Sequence, residues 1–296
     1  MAKFSEDTLN KWRQPPSDHE EGKLQSAETL VREAIAEDSV LSKLDITIFG
    51  QGSYANDTNV RLNSDIDINV RYNGVFYFNL PEGKQRGDFG LNSPSNYTFD
   101  EFKKAVENAM VKKFGRADVF NEDKCITIAA ANARVEADVV PTFKHRWYSS
   151  NGSYVEGVKF LTNEGKQRIN YPLQHIENGK SKNANTRKRF KRLTRIFRRI
   201  RYKMIEDGIL VSDNITSFLL ECLVWNVPNE VINNDDGWTE RLRGSITYLY
   251  QNTKNHDTCK DWGEVSERLY LFHPSRKWTQ QEVNEFLLQM WAYLEF

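Results

Sequence analysis

Residues 52–67 read GSYANDTNVRLNSDID, from Gly52 to Asp67, and the fold follows from what flanks them. Upstream, Leu44 to Phe49 alternates and is rich in β-branched residues, which predicts a strand running into the loop Gly50-Gln51-Gly52-Ser53. Downstream, Ile66, Ile68 and Val70 alternate with Asp65, Asp67 and Asn69, which predicts a second strand over 64–71. Side chains at i and i+2 share a strand face, so Asp65 and Asp67 project together. Two adjacent carboxylates repel unless a cation lies between them, and a hard divalent ion such as Mg2+ prefers their oxygens.

A third acidic position lies further on. Residues 124–131 and 134–143 read as two more strands, the second carrying Glu136 and Asp138 on one face and Val135, Ala137 and Val139 on the other. Glu136 competes for the third place, and Asp138 is favoured. If that strand pairs beside the first, three carboxylates converge and can clamp two ions ~3.5–4 Å apart, as in nucleotidyl transfer. A solvated Asp-x-Asp pair is common by itself. Gly52-Ser53 makes the combination more specific, because glycine lets the backbone approach a phosphate and serine adds a hydrogen bond.

Around this centre, Ser17 and Glu20 form a candidate capping box for a helix running to about residue 38, with Leu24, Ala27, Val31, Ala34 and Ile35 at helical spacing. The stretch 81–97 is rich in glycine, proline and asparagine and reads as a mobile loop. Phe102, Val106, Ala109 and Met110 mark another helix, and 146–161 a hairpin turning at Asn151-Gly152. From about 185 onward the patterns are helical, over 186–207, 214–225, 238–252 and 279–295. The expected class is therefore α+β: residues 1–184 form an N-terminal helix and a mixed-sheet core with helices, and 185–296 a C-terminal helical domain.

The segment 186–203 holds ten lysines and arginines. Phe190, Leu193, Phe197, Ile200 and Met204 form one stripe that should pack inward. Lys188, Arg192, Arg195 and Arg199 form another, with Lys191 and Arg198 at its margins. A solvated basic face is one reading; the other is a lysine that neutralises the β- and γ-phosphates of a donor as pyrophosphate leaves.

Composition narrows the classes. The 296 residues are 39% hydrophobic and 28% charged, with Lys plus Arg equal to Asp plus Glu at 41 each, so a non-specific nucleic-acid coat is disfavoured. Cys125, Cys222 and Cys259 form no ligand pattern and read as reduced thiols; the five histidines show no HExxH-type spacing, so zinc has no support. The opening MAKFSEDTLNKW lacks an apolar h-region, and no stretch approaches ~18 apolar residues, so a soluble cytoplasmic protein is expected.

Together these residues resemble the bacterial cyclic-oligonucleotide synthases related to animal cyclic GMP–AMP synthase, the CD-NTases, and are most similar to clade E. The resemblance rests on Gly52-Ser53 through Arg61, Ser64-Asp65-Ile66-Asp67 and Glu136 through Pro141. It continues in Tyr171-Pro172, His175, Asn178-Gly179, Lys182-Asn183, Ser217 through Glu221 and Trp225 through Pro228, and so covers nearly the whole chain. It implies a polymerase-β-like nucleotidyltransferase core plus a helical lobe. Asp65, Asp67 and Asp138 would bind two Mg2+ ions (Mn2+ as substitute), with Asp138 helping to activate the attacking ribose hydroxyl. Gly52 and Ser53 would hold donor phosphates, Lys191 and Ser217 match the family's triphosphate-binding pair, and Phe218 sits where relatives stack an aromatic on the base. Lys188 and Arg195 lie within about a turn of Lys191 as alternatives. Asn170 and Asn178 are candidates for reading a base edge, or else turn and loop caps.

The expected activity is synthesis of a cyclic dinucleotide containing UMP or AMP from nucleoside triphosphates such as ATP and UTP, in antiphage signalling. The expected protein is a monomer without a membrane partner. It is open to an activating ligand or protein, and the sequence does not require a nucleic-acid activator. Adenylylation of RNA, protein or a small alcohol is the alternative within the same chemistry. A non-catalytic nucleic-acid-binding module is the alternative outside it.

Overall fold

The computed structural model describes residues 2–60, 65–91, 93, 97–132, 134–234 and 236–296, without the side chains of 18–21. The expected Ser17–Glu20 capping box, Arg61 and Ser64 therefore lie outside the described residues. The chain forms two compact units that interleave in sequence: 17–54 with 64–173, and 1–16 with 55–63 and 174–296. The division falls at about 173/174 rather than the expected 184/185, and residues 2–16 and 55–60 belong to the helical unit.

Among the described residues the sheet unit has seven strands: β1 (Ile46–Gln51), β2 (Ile66–Asn79), β3 (Val119–Asn121), β4 (Ile126–Ile128), β5 (Ala137–Tyr148), β6 (Tyr154–Leu161) and β7 (Gln167–Asn170). Their order is β1-β2-β5-β4-β3, with β6 pairing the far half of β5 and β7 pairing β6. β2 and β5 run parallel, and the other pairs are antiparallel. The helices α2 (Asp18–Glu37) and α4 (Phe99–Phe114) lie in the same core as Ile66, Ile68, Val70, Ile126, Ile128 and Val139. Thr98 and Glu101 cap α4 reciprocally. With the apolar strand positions committed to the core, alternation sends Asp67, Asn69 and Asp138 to the opposite face.

Several boundaries differ from expectation. The loop after β1 is instead a short helix, α3 (Gly52–Ala55). The predicted strand over 124–131 shrinks to β4, and β5 begins only at Ala137, so Glu136 precedes it. The stretch expected as a mobile loop contains a 3-10 helix, Arg86–Phe89. The Asp88 carboxylate accepts the Gln85 amide at 2.9 Å, and the Phe89 ring packs 4.9 Å from that of Tyr148. The hairpin turns at Gly152, whose φ of +85° suits glycine.

The helical unit comprises α1 (Glu6–Trp12), α5 (Pro172–Asn185), α6 (Arg189–Glu206), α7 (Ser217–Asn226), α8 (Asn229–Ile232), α9 (Gly237–Thr253), α10 (His256–Cys259) and α11 (Gln280–Tyr293). Helix α5 begins earlier than the predicted helical region. Proline is favoured in a first turn, and with only His175 and Gly179 buried the helix offers little apolar periodicity to read. Lys188 adopts a left-handed conformation (φ +61°), which separates α5 from α6. Helix α1 returns to the unit through Glu6, whose carboxylate accepts the amides of Trp238 and Thr239 at 2.6 and 3.0 Å. Phe190, Leu193, Phe197, Ile200 and Met204 are all fully buried, as the α6 stripe predicts. No described helix is long and apolar enough to cross a membrane.

Candidate active site

The sheet register brings the acidic positions together. Asp67 is the Cα partner of Asp138 across the parallel β2–β5 ladder, with Gln51 on the other side of Asp67 and Thr127 on the far side of Asp138. Gln51, Asp67, Asp138 and Thr127 therefore form one row across four strands, on the face turned from the core. The Thr127 hydroxyl donates to Asp138 Oδ1 at 2.6 Å. Beneath the row, Thr142 donates to Asn69 Oδ1 at 2.7 Å and Asn69 Nδ2 donates to Gln51 Oε1 at 3.1 Å, which fixes the strands that carry the carboxylates.

Asp65 is exposed one residue before β2, whereas Asp67 and Asp138 are half-buried. Glu136 is exposed and contributes its carbonyl, which accepts the Ile66 amide at 3.1 Å. Of the two competing third positions, Asp138 is the one held in the row. Among the described residues, no three Asp, Glu, His or Cys side chains are already drawn together as a metal cluster. The donor set nevertheless fits a hard divalent ion: oxygen ligands, two of them on adjacent register positions. Burial, together with the charges of Asp138 and Asp67, pushes the Cys125 thiol up to about 12.

Gly52 has a φ of +67°, and a Cβ built there would collide with the Asp67 carboxylate, its Cγ only 2.9 Å away. The backbone at Gly52-Ser53 thus lies directly against one candidate metal ligand, as a phosphate-holding turn beside a metal site requires. Only glycine permits that approach.

The helical unit carries the remaining candidates. Phe218 is 39% exposed although aromatic, and its ring lies 5.8 Å from that of His175 and 6.2 Å from that of Trp278. His175 is held by the buried Glu221, which accepts from His175 Nε2 at 3.0 Å and from the Thr58 hydroxyl at 2.9 Å. Burial opposes ionisation of Glu221, but these hydrogen bonds, the His175 charge and Arg198 outweigh it and leave its pKa lowered. Ser217 opens α7 with its hydroxyl 3.1 Å from that of Tyr202. Lys191 is buried, its amine made less basic chiefly by burial, and no described residue accepts a hydrogen bond from its ammonium.

The Lys191 amine feels the charge of Glu221, which lies one turn after Ser217 on α7. Tyr202, the partner of Ser217, lies about three turns beyond Lys191 on α6, ~16 Å along the axis. Two alternatives to Lys191 lose ground. Arg195 donates to the Asp57 carboxylate and carbonyl and to the Arg13 carbonyl, and Lys188 forms the left-handed break before α6. Arg198 likewise donates to the Thr58 carbonyl at 2.9 Å, so part of the basic face anchors residues 55–60. Asn178 donates to the Val265 carbonyl at 2.9 Å, a structural cap. Asn170 ends β7 exposed, and no described residue bonds its side chain.

Sequence reasoning missed Thr127, Glu221 with Thr58, and Tyr202. A hydroxyl on a neighbouring strand or helix becomes legible only once the pairing is known.

Residues 177–295 match the family model described as the cGAS/DncV-like nucleotidyltransferase C-terminal helical domain. Over 296 residues, 100% of both chains, the sequence is 61% identical to the cyclic dipyrimidine nucleotide synthase CdnE of Cecembia lonarensis. The chain belongs to the CdnE group of cGAS/DncV-like nucleotidyltransferases. Two solved CdnE structures support the placement. The cyclic dinucleotide synthase of Elizabethkingia meningoseptica, solved with GTP and Apcpp, is 34% identical with a TM-score of 0.82, covering 99% of this chain and 100% of that one. The c-UMP-AMP synthase of Rhodothermus marinus, solved with Apcpp and Upnpp, is 28% identical with a TM-score of 0.85, covering 97% and 95%. This CdnE chain is thus an enzyme, a nucleotidyltransferase of the cyclic-nucleotide-synthase kind, with the mixed-sheet core and helical domain expected from its sequence.

Proposed function

We propose that this CdnE enzyme joins two pyrimidine ribonucleoside triphosphates into a cyclic dinucleotide in the cytoplasm, as a monomer, and that the product serves antiphage signalling. The placement of Asp67 and Asp138 on adjacent register positions carries the chemistry, and the 61% identity to a cyclic dipyrimidine synthase supports the choice of bases. An AMP-containing product, as in the name of the Rhodothermus relative, is the competing outcome.

Asp65, Asp67 and Asp138 would hold two Mg2+ ions, or Mn2+ in their place. When bound, such ions neutralise phosphate charge and favour the ionised form of the attacking hydroxyl. Gly52 and Ser53 hold the donor phosphates through backbone and hydroxyl. Asp138 accepts the proton of the attacking ribose hydroxyl. The new P–O bond forms at the α-phosphorus as the bond to pyrophosphate breaks, and the linear product then undergoes the same step on itself. Ser217 contacts phosphate, Lys191 offsets phosphate charge, and Phe218 stacks a base. Asn170 offers both a donor and an acceptor to a pyrimidine edge.

Supplying the four triphosphates singly and in pairs, with Mg2+ and subsequent phosphatase, tests this reading by mass spectrometry. A phosphatase-resistant cyclic dinucleotide made from UTP or CTP supports it. A product requiring a purine refutes the base assignment, and label transferred to RNA or protein refutes cyclisation.

A further inference from the structure

Strand β4 is only three residues long, and its two isoleucines, Ile126 and Ile128, are 0% and 1% exposed in the core. Alternation then leaves Thr127 no choice of face: it must point toward the carboxylate row. Antiparallel pairing sets it opposite Asp138, and its single hydroxyl proton goes to Asp138 Oδ1 at 2.6 Å. The Cys125 sulfur lies 3.7 Å from the same hydroxyl and also beside the Asp138 carboxylate. A β-branched side chain in a strand has few χ1 options, so the direction of this hydrogen bond is fixed by the backbone.

We propose that Thr127 is a positioning residue for Asp138. By holding Oδ1 it stops rotation of the carboxylate, so that Oδ2 is the oxygen presented to a divalent cation and to the attacking hydroxyl. The inference rests on the reading of Asp138 as a metal ligand. Thr127 itself touches neither metal nor substrate. Exchange for valine keeps the shape and β-propensity of the site and removes only the donor, whereas serine keeps the donor.

The test compares wild type, Thr127→Val and Thr127→Ser by Mn2+ titration followed by electron paramagnetic resonance, without nucleotide, and by turnover with nucleoside triphosphates. Thr127→Val should weaken Mn2+ binding about 10-fold and lower kcat about 10- to 100-fold with KM within about twofold, the scale seen when a ligand loses its supporting hydrogen bond. Thr127→Ser should stay within about threefold of wild type on both. Mn2+ affinity unchanged in Thr127→Val, or Thr127→Ser as impaired as Thr127→Val, would overturn the role. Should the valine variant misfold, Thr127→Ala carries the same expectation. Wild type that binds Mn2+ without forming product would count against cyclic-nucleotide synthesis, while the Mn2+ affinities would still decide the role of Thr127. Wild type that binds no Mn2+ would overturn both.

Discussion

Asp67 and Asp138, 71 positions apart in the sequence, are direct neighbours across parallel strands β2 and β5. Parallel pairing requires a crossover, and here the crossover contains α4 and the β3–β4 hairpin. The same hairpin delivers Thr127 to the far side of Asp138, so one connection supplies both the neighbour strand and the hydrogen bond that holds its carboxylate.

Gly52→Ala should damage both stability and activity. The residue sits at φ +67° with the Asp67 carboxylate where a Cβ would go. A left-handed non-glycine residue costs about 1–2 kcal/mol, measurable by denaturant titration. Displacing Asp67 should lower kcat by about 100-fold or more, since a misplacement of 1 Å in a reacting geometry has effects of that order. Near-normal turnover would show that the turn and the carboxylate are not coupled.

Phe218→Ala separates binding from folding. With 39% of its surface exposed, Phe218 adds little to the core, so the melting temperature should hold. Loss of a base-stacking ring of about 1–3 kcal/mol should raise KM for a nucleotide about 5- to 150-fold. A large fall in melting temperature with unchanged KM would assign the ring to packing against His175 and Trp278 instead.

His145 predicts a pH dependence of stability. It is fully buried on β5, with Nε2 2.8 Å from Asn79 Oδ1 and Nδ1 without a hydrogen-bond partner among the described residues. Burial, with help from the Lys159 charge, lowers its pKa to about 4 from the ordinary 6.5. Between those values the unfolded chain binds the extra proton, so stability is full above about pH 6.5 and falls as pH drops toward 4. The loss should reach about 2 kcal/mol at pH 5, and His145→Gln should flatten this part of the profile. An unchanged slope in the variant would remove His145 as its cause.

The alternation of Ile66, Ile68 and Val70 with Asp65, Asp67 and Asn69 made the carboxylate face legible in the sequence, because period two leaves a buried strand one way to lie. The α6 stripe was legible for the same reason at period 3.6. What pairs with what was not. Glu136 and Asp138 share a face in the sequence pattern, and only the start of β5 at Ala137 leaves Glu136 outside the strand. The arginines of α6 looked like one basic face until Arg195 and Arg198 were found holding Asp57 and Thr58. Helices α1 and α5 escaped notice because each buries too few apolar residues to show a period.

The central claim is that the carboxylates perform the synthesis, and comparing wild type with the Asp65→Ala/Asp67→Ala double variant tests it most directly. Both proteins would be given all four ribonucleoside triphosphates with Mg2+, and phosphatase-resistant product read by mass spectrometry beside a melting curve. Wild type should yield a cyclic pyrimidine dinucleotide and the variant none, with a melting temperature equal or slightly higher in the variant because carboxylate repulsion is relieved. A folded double variant that still makes the product would contradict that claim.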